Sequence, residues 1–113
     1  MKERIIAHVE KHLETYMKYV EQMYAHPEIG NEEFETMALL ADALEALGFE
    51  TQRAFVCPTG FQGVYQAQKD GPVIAYLCEY DALPEVGHGC GHNLIAAISL
   101  AAGAALKEVI DEL

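Results

Sequence analysis

The residues best suited to chemistry lie in one stretch, Glu79-Tyr80-Asp81-Ala82-Leu83-Pro84-Glu85-Val86-Gly87-His88-Gly89-Cys90-Gly91-His92-Asn93, which gathers three carboxylates, two imidazoles and a thiol. A Cys thiolate and a His nitrogen are common ligands for Zn²⁺ and neighbouring first-row ions. Cys90 and His92 stand two residues apart, so they converge on one ion only if the backbone between them bends, and Gly91 permits that bend. Asn93 reads as the N-cap of a following helix. Glu79 and Asp81 close a strand-like run, the place where α/β proteins collect active groups. A Cys-x-His pair also occurs wherever a loop holds a buried Cys beside a surface His, so the residues alone leave metal binding open. A nucleophilic Cys90 is the other available chemistry, but His92 at i+2 is poorly placed to be its base.

Other candidates are weaker. His8 and His12 are spaced i, i+4, which can hold a metal. They border the apolar stripe of a helix among Glu10 and Lys11, and read as boundary residues. Cys78 sits in an apolar run and Cys57 precedes Pro58, so both read as inert fillers.

The elements that must position these groups follow from periodicity. Ile5, Ile6, Val9, Leu13, Tyr16, Met17, Val20, Met23 and Tyr24 recur at helical spacing and predict an amphipathic helix over about 3–25. Pro27 and Gly30 break it. Asn31, followed by Glu32 and Glu33, predicts the N-cap of a second helix that buries Met37, Leu40, Ala43, Leu44 and Leu47 and stops at Gly48. Strands are expected over 49–56 and 61–68 around a Pro58-Thr59-Gly60 turn. A third strand, over 73–80, reads as buried on both faces. A last helix, over about 94–112, is so apolar between Leu94 and Leu106 that two helices and three strands cannot cover it, and apolar faces of that size mark an interface. The fold class is therefore α/β in the order α-α-β-β-β-α, with the liganding loop between the last strand and the last helix.

Composition bounds the rest. The 113 residues suit one small domain, and a formal net charge of −11 argues against nucleic-acid and anionic-membrane partners. Three unevenly spaced cysteines make no disulfide framework and fit a reducing cytoplasm. No basic segment precedes an apolar core, so no secretory signal is expected. The run from Leu94 to Leu106 is shorter than the roughly 20 residues a membrane span needs.

Glu79-Tyr80-Asp81-Ala82-Leu83-Pro84 followed by Gly87-His88-Gly89-Cys90-Gly91-His92-Asn93 resembles the M20 family of metallopeptidases, in its amidohydrolase branch of aminoacylase-like and aminobenzoyl-glutamate-hydrolase-like enzymes. His26-Pro27-Glu28-Ile29-Gly30, with Glu33 and Thr36 beyond it, is similar to a motif near the start of those proteins. The resemblance covers nearly all of this chain and about the first third of a family member. It implies the N-terminal portion, residues 1–113, of a zinc-peptidase-like catalytic domain. It also implies Cys90 and His92 as metal ligands, Asp81 in a supporting catalytic role, and one or two divalent ions, Zn²⁺ or Mn²⁺. Glu79 stands where the wider family has a ligand His, and His88 and Glu79 are expected on the substrate side. The family's paired glutamates and further ligand histidines have no counterpart here.

The expected activity is hydrolysis of an amide bond in an N-acyl amino acid or small peptide-like substrate, as part of a larger enzyme. The competing expectation is a non-catalytic truncated or split-subunit polypeptide. It would need a partner chain, or self-association through the apolar last helix, to complete the site.

Overall fold

In a computed structural model describing all 113 residues, the first apolar stripe folds as α1, Lys2–Ala25. Its core face is narrower than the stripe: Tyr16, Val20 and Met23 are buried, while Ile6, Leu13, Met17 and Tyr24 stay exposed along the other side. Helix α2, Phe34–Ala46, buries Met37, Leu40, Ala41, Ala43 and Leu44. It ends in a Schellman turn, in which Gly48 takes φ 87°, its N–H donates to Glu45 O and Phe49 N–H donates to Leu44 O. Leu47 is only half-buried, since it already belongs to this cap.

Asn31 does not cap α2. It adopts φ 70° in the turn before the helix, which starts two residues later than the sequence suggests, with Glu33 at the N-cap position. Glu28 does the capping from further back. Its carboxylate accepts Thr36 N–H and Thr36 Oγ1–H, each at 2.6 Å, and Glu35 N–H at 3.1 Å. A carboxylate is well placed there, because helix N-termini carry unpaired N–H groups and partial positive charge.

β1, Glu50–Arg53, and β2, Phe61–Val64, form a two-stranded antiparallel ribbon with Glu50 opposite Val64 and Arg53 opposite Phe61. Both are shorter than the expected strands. Ala54 and Val56 turn to positive φ (53° and 68°), ending β1. Beyond β2, Asp111 draws the chain aside by accepting Tyr65 OH at 3.1 Å and Gln68 N–H at 2.7 Å. The ribbon lies on α2 at Gly63, where a Cβ would fall 2.5 Å from Leu44 Cδ1 and force that side chain to shift.

The expected third strand does not form. Residues 73–80 run without strand pairing, and Val73 and Leu77 are 97% and 81% exposed. The observed order is therefore α-α-β-β-α rather than α-α-β-β-β-α, and the architecture is an α/β domain of three helices and one ribbon. A strand needs a hydrogen-bonding neighbour as well as suitable side chains, and no other strand runs alongside this segment. Side chains and not a strand hold it to α3: Cys78 Sγ–H donates to Ala96 O at 3.6 Å and Ser99 Oγ–H to Leu77 O at 2.7 Å.

Helix α3, His92–Lys107, is followed by a 3₁₀ turn, Ile110–Glu112. Ala96, Ala97, Ala101, Ala104 and Ala105 are buried, and their small side chains let α3 pack closely on α1. Tyr16, Ala43, Leu44, Leu100 and Ala101 form one core cluster, and Met23, Leu40 and Ala96 form another. The opposite face of α3 is uncovered, with Leu94, Ile95 and Ile98 exposed. No helix is long and apolar enough to cross a membrane.

Candidate functional site

Two backbone contacts bring the sequence motifs together. Ala82 N–H donates to Glu28 O at 2.7 Å, and Ile29 pairs with Ala82 in an isolated parallel bridge. The chain then reverses in a tight loop, where Leu83 and Gly87 exchange backbone hydrogen bonds at 2.9 and 3.0 Å and Glu85 takes φ 63°. Gly91 takes φ 83° and is the N-cap of α3. Asn93 is therefore not the cap. It is buried inside the first turn and donates to Val20 O at 3.3 Å, tying α3 to α1.

These constraints place His92 as the first residue of α3, beside the end of the extended segment. Its Nδ1 lies 2.6 Å from Asp81 Oδ1, and its Nε2 lies 3.3 Å from Glu79 Oε2. When Nδ1 carries the proton shared with Asp81, Nε2 presents a lone pair towards Glu79. Two electron-rich atoms so placed attract a proton or a cation between them. Two ligand atoms on a tetrahedral Zn²⁺ stand about 3.4 Å apart, from bonds of about 2.1 Å. The His92–Glu79 spacing is close to one edge of such a sphere, and Asp81 engages the other ring nitrogen of His92.

Cys90 is exposed on the loop, and no three His, Cys, Asp or Glu side chains converge as a metal cage. His88 is buried at 7% exposure, with neither ring nitrogen hydrogen-bonded. Leaving a buried polar atom unpaired costs about 1–3 kcal/mol. Burial, reinforced by the nearby His92, holds the His88 pKa below its ordinary value, against the opposing pull of Asp81.

Three residues support the site through contacts between distant parts of the chain. Glu33 is buried and accepts Thr59 Oγ1–H at 2.8 Å, while Thr59 O accepts Tyr80 OH at 2.5 Å. Together they anchor the segment that ends in Asp81 to the start of α2. Glu33 and Thr59 are 26 residues apart, so no local spacing could reveal the pair.

No family model matches the chain. Curated relatives do. The chain is 35% identical over 122 aligned residues to one of the subunits of p-aminobenzoyl-glutamate hydrolase of Escherichia coli, covering 92% of this chain and 25% of that protein. It is 31% identical to Xaa-Arg dipeptidase of Mus musculus, covering all of this chain and 28% of that protein. It is also 31% identical to N-acetyl-L-cysteine deacetylase of Bacillus subtilis, covering 80% and 25%. These relatives are hydrolases, a dipeptidase and a deacetylase among them. The chain belongs to the M20 family of hydrolases. It spans about a quarter of the length of the curated relatives it matches.

Proposed function

We propose that residues 1–113 form the N-terminal portion of the catalytic domain of a metal-dependent amidohydrolase, acting on an amide bond in an N-acyl amino acid or small peptide-like substrate within a larger enzyme. The observation that carries this reading is the placement of His92 between Asp81 and Glu79. The names of the relatives support the bond class, since they include an aminobenzoyl-glutamate hydrolase, a dipeptidase and an N-acetyl-cysteine deacetylase.

In this reading His92 and Cys90 are ligands to a divalent ion, Zn²⁺ or Mn²⁺. Glu79 is a further oxygen donor on the substrate side. When bound, such an ion polarises an amide carbonyl and lowers the pKa of water. Asp81 accepts the Nδ1 proton of His92, which fixes the ring and keeps the Nε2 lone pair directed outward. Gly91 sets the angle between Cys90 and His92. A catalytic site takes about three protein ligands, and the remaining donors and the general base are assigned to polypeptide beyond these residues.

A second reading is favoured by the uncovered apolar surface. Val73 and Leu77 on the extended segment and Leu94 and Ile98 on α3 are exposed. This suits a subunit that is inactive alone and completes its site against a partner polypeptide or a second copy.

The deciding measurement is calorimetric titration of the purified chain with Zn²⁺ and Mn²⁺, with Cys90→Ser and His92→Ala in parallel. One ion per chain, weakened about tenfold or more by each substitution, is expected for ligands of this type. Binding that neither substitution changes would remove the ligand assignment.

A further inference from the structure

Residues Val73 to Tyr80 carry the side chains of a strand and have no strand beside them. Their exposure alternates, with Val73 and Leu77 at 97% and 81% and Ile74 and Tyr76 at 55% and 47%, which is the period of two of an extended chain. A Cβ on Gly103 would meet Tyr76 Cδ2 at 3.9 Å, and Cys78 Sγ–H donates to Ala96 O, so the even-numbered side chains face α3 and the odd-numbered ones face away. From Lys69 to Asp81 no backbone N–H makes a hydrogen bond within the chain. An uncharged run with open backbone edges, such as Val73 to Cys78, is a template for another strand. Ser99 binds Leu77 O from α3, and the exposed Ile95 and Ile98 flank that point, so this edge carries further apolar surface. Leu77 O keeps a second lone pair for a ladder.

The residues of the run indicate what pairs with it. In an antiparallel pair related by a two-fold axis normal to the ladder, opposed residues share a face, so the axis passes through one residue. Placed at Ala75, the axis sets Val73 of each copy opposite Leu77 of the other, Ile74 opposite Tyr76, and Ala75 opposite itself. The two most exposed large apolar side chains of the segment then cover each other. Pro72, which has no N–H, falls in a pair that exchanges no hydrogen bonds when the Ala75 pair does. Just beyond the ladder, Lys69 of one copy comes to Asp81 of the other, with Glu79 next along the same face. Lys69 makes no ion pair in the single chain. Moving the axis to Ile74 sets Leu77 against Gly71, and moving it to Tyr76 sets Val73 against Glu79. Apolar and charged groups are thus self-complementary in one register.

We propose that the chain self-associates as a two-fold dimer through an antiparallel ladder of residues 73–80 centred on Ala75, which brings Lys69 of each copy to the Glu79 and Asp81 carboxylates of the other. It rests on the second reading above, in which the site is completed against another chain, and it names that chain as a second copy.

The test uses the full 113-residue chain in excess chelator, so that pairing is measured without metal. Sedimentation velocity from micromolar to millimolar concentration is expected to show a species of twice the 12.5 kDa chain mass that grows with concentration. Ala75→Pro removes the central N–H, which the single chain does not use, and should weaken dimerisation about tenfold or more by loss of two ladder hydrogen bonds. Its circular dichroism should match wild type, which separates loss of pairing from loss of fold. Lys69→Gln should weaken the dimer about two- to fivefold, and added salt should weaken wild type more than this variant. In a Cys57→Ser, Cys90→Ser background, Ala75→Cys should form a disulfide-linked dimer with oxidised glutathione, since opposed residues stand about 5.5 Å apart between Cα atoms. Val73→Cys should not, because its two copies lie four residues out of step, on the order of 13 Å. A chain that stays monomeric throughout, a dimer indifferent to Ala75→Pro, or cross-linking at position 73 equal to that at position 75 would each overturn the proposal. Failure of the second reading would instead appear, with chelator removed, as a dimer whose Zn²⁺ affinity equals that of the monomeric Ala75→Pro variant.

Discussion

His92 Nδ1 stands 2.6 Å from Asp81 Oδ1, so the first side chain of α3 is oriented by the last residues of the extended segment. This contact determines which nitrogen of His92 faces Glu79. Asp81→Asn keeps the size of the side chain but removes the charge and can offer an N–H where an acceptor is needed. Zn²⁺ affinity is expected to fall about 10–100-fold, the range for loss of a carboxylate behind a ligand histidine. Thermal stability should change little by comparison. Calorimetry on the two proteins decides it, and equal affinities would mean that Asp81 does not orient the ligand.

The first motif has a structural duty. Glu28 caps α2 through Thr36 and Glu35, and its own carbonyl accepts Ala82 N–H. Glu28→Gln should destabilise the chain by about 1–2 kcal/mol, as expected for a charged cap reduced to a neutral one. Thr36→Val should cost a similar amount by leaving the carboxylate short of a donor. Urea midpoints would report both. A double variant close to either single one would show that the two residues act as one unit.

Local signals made part of this legible. The Gly48 stop, the α2 core face and the density of ligand-type residues from Glu79 to Asn93 all depend on near neighbours, and a sequence displays those directly, whereas the α1 stripe overstated the buried face because only Tyr16, Val20 and Met23 of it find a partner surface. Long-range geometry was hidden. The Val73–Tyr80 run has every side chain a buried strand would have, yet pairing depends on a neighbour that its composition cannot specify. Asn93 looks like a cap because its type and place fit, but its amide finds Val20 O, 73 residues away. The partners of Glu28 and Glu33 were equally out of reach. His88, expected only on the substrate side, gains its interest from being buried and unpaired.

The three thiols should separate by reactivity. Cys78 is half-buried, and desolvation pushes its pKa up to about 12, whereas Cys57 and Cys90 are exposed. Thiolate is the species that alkylates. Iodoacetamide at mildly alkaline pH should label Cys57 and Cys90 quickly and Cys78 only on unfolding. Peptide mass spectrometry with time would show this, and saturating Zn²⁺ should slow Cys90 while leaving Cys57 unchanged. Rapid labelling of Cys78 in the folded chain would contradict its placement against Ala96.

His8 gives the fold a pH dependence of predictable sign. Its Nε2 is buried without a partner, and its ring lies 4.6 Å from that of His12. Burial first, then His12, Lys11 and Lys107, hold its pKa below the ordinary 6.5, and Glu108 opposes them only in part. The unfolded chain therefore binds a proton at this position at a higher pH than the folded chain does. The corresponding stability is complete above the unfolded value and is lost as pH falls through the folded one. His8→Leu removes the proton-binding group and fills the same boundary with apolar volume. Relative to wild type, the variant should gain stability on going from about pH 7.5 to about pH 5.5, the interval that brackets histidine titration. Urea midpoints at the two pH values measure this directly, because His88 and the carboxylates that do not face His8 contribute to both proteins and cancel in the difference. If that difference is the same at both pH values, or moves towards the wild type in acid, then His8 does not couple folding to protonation.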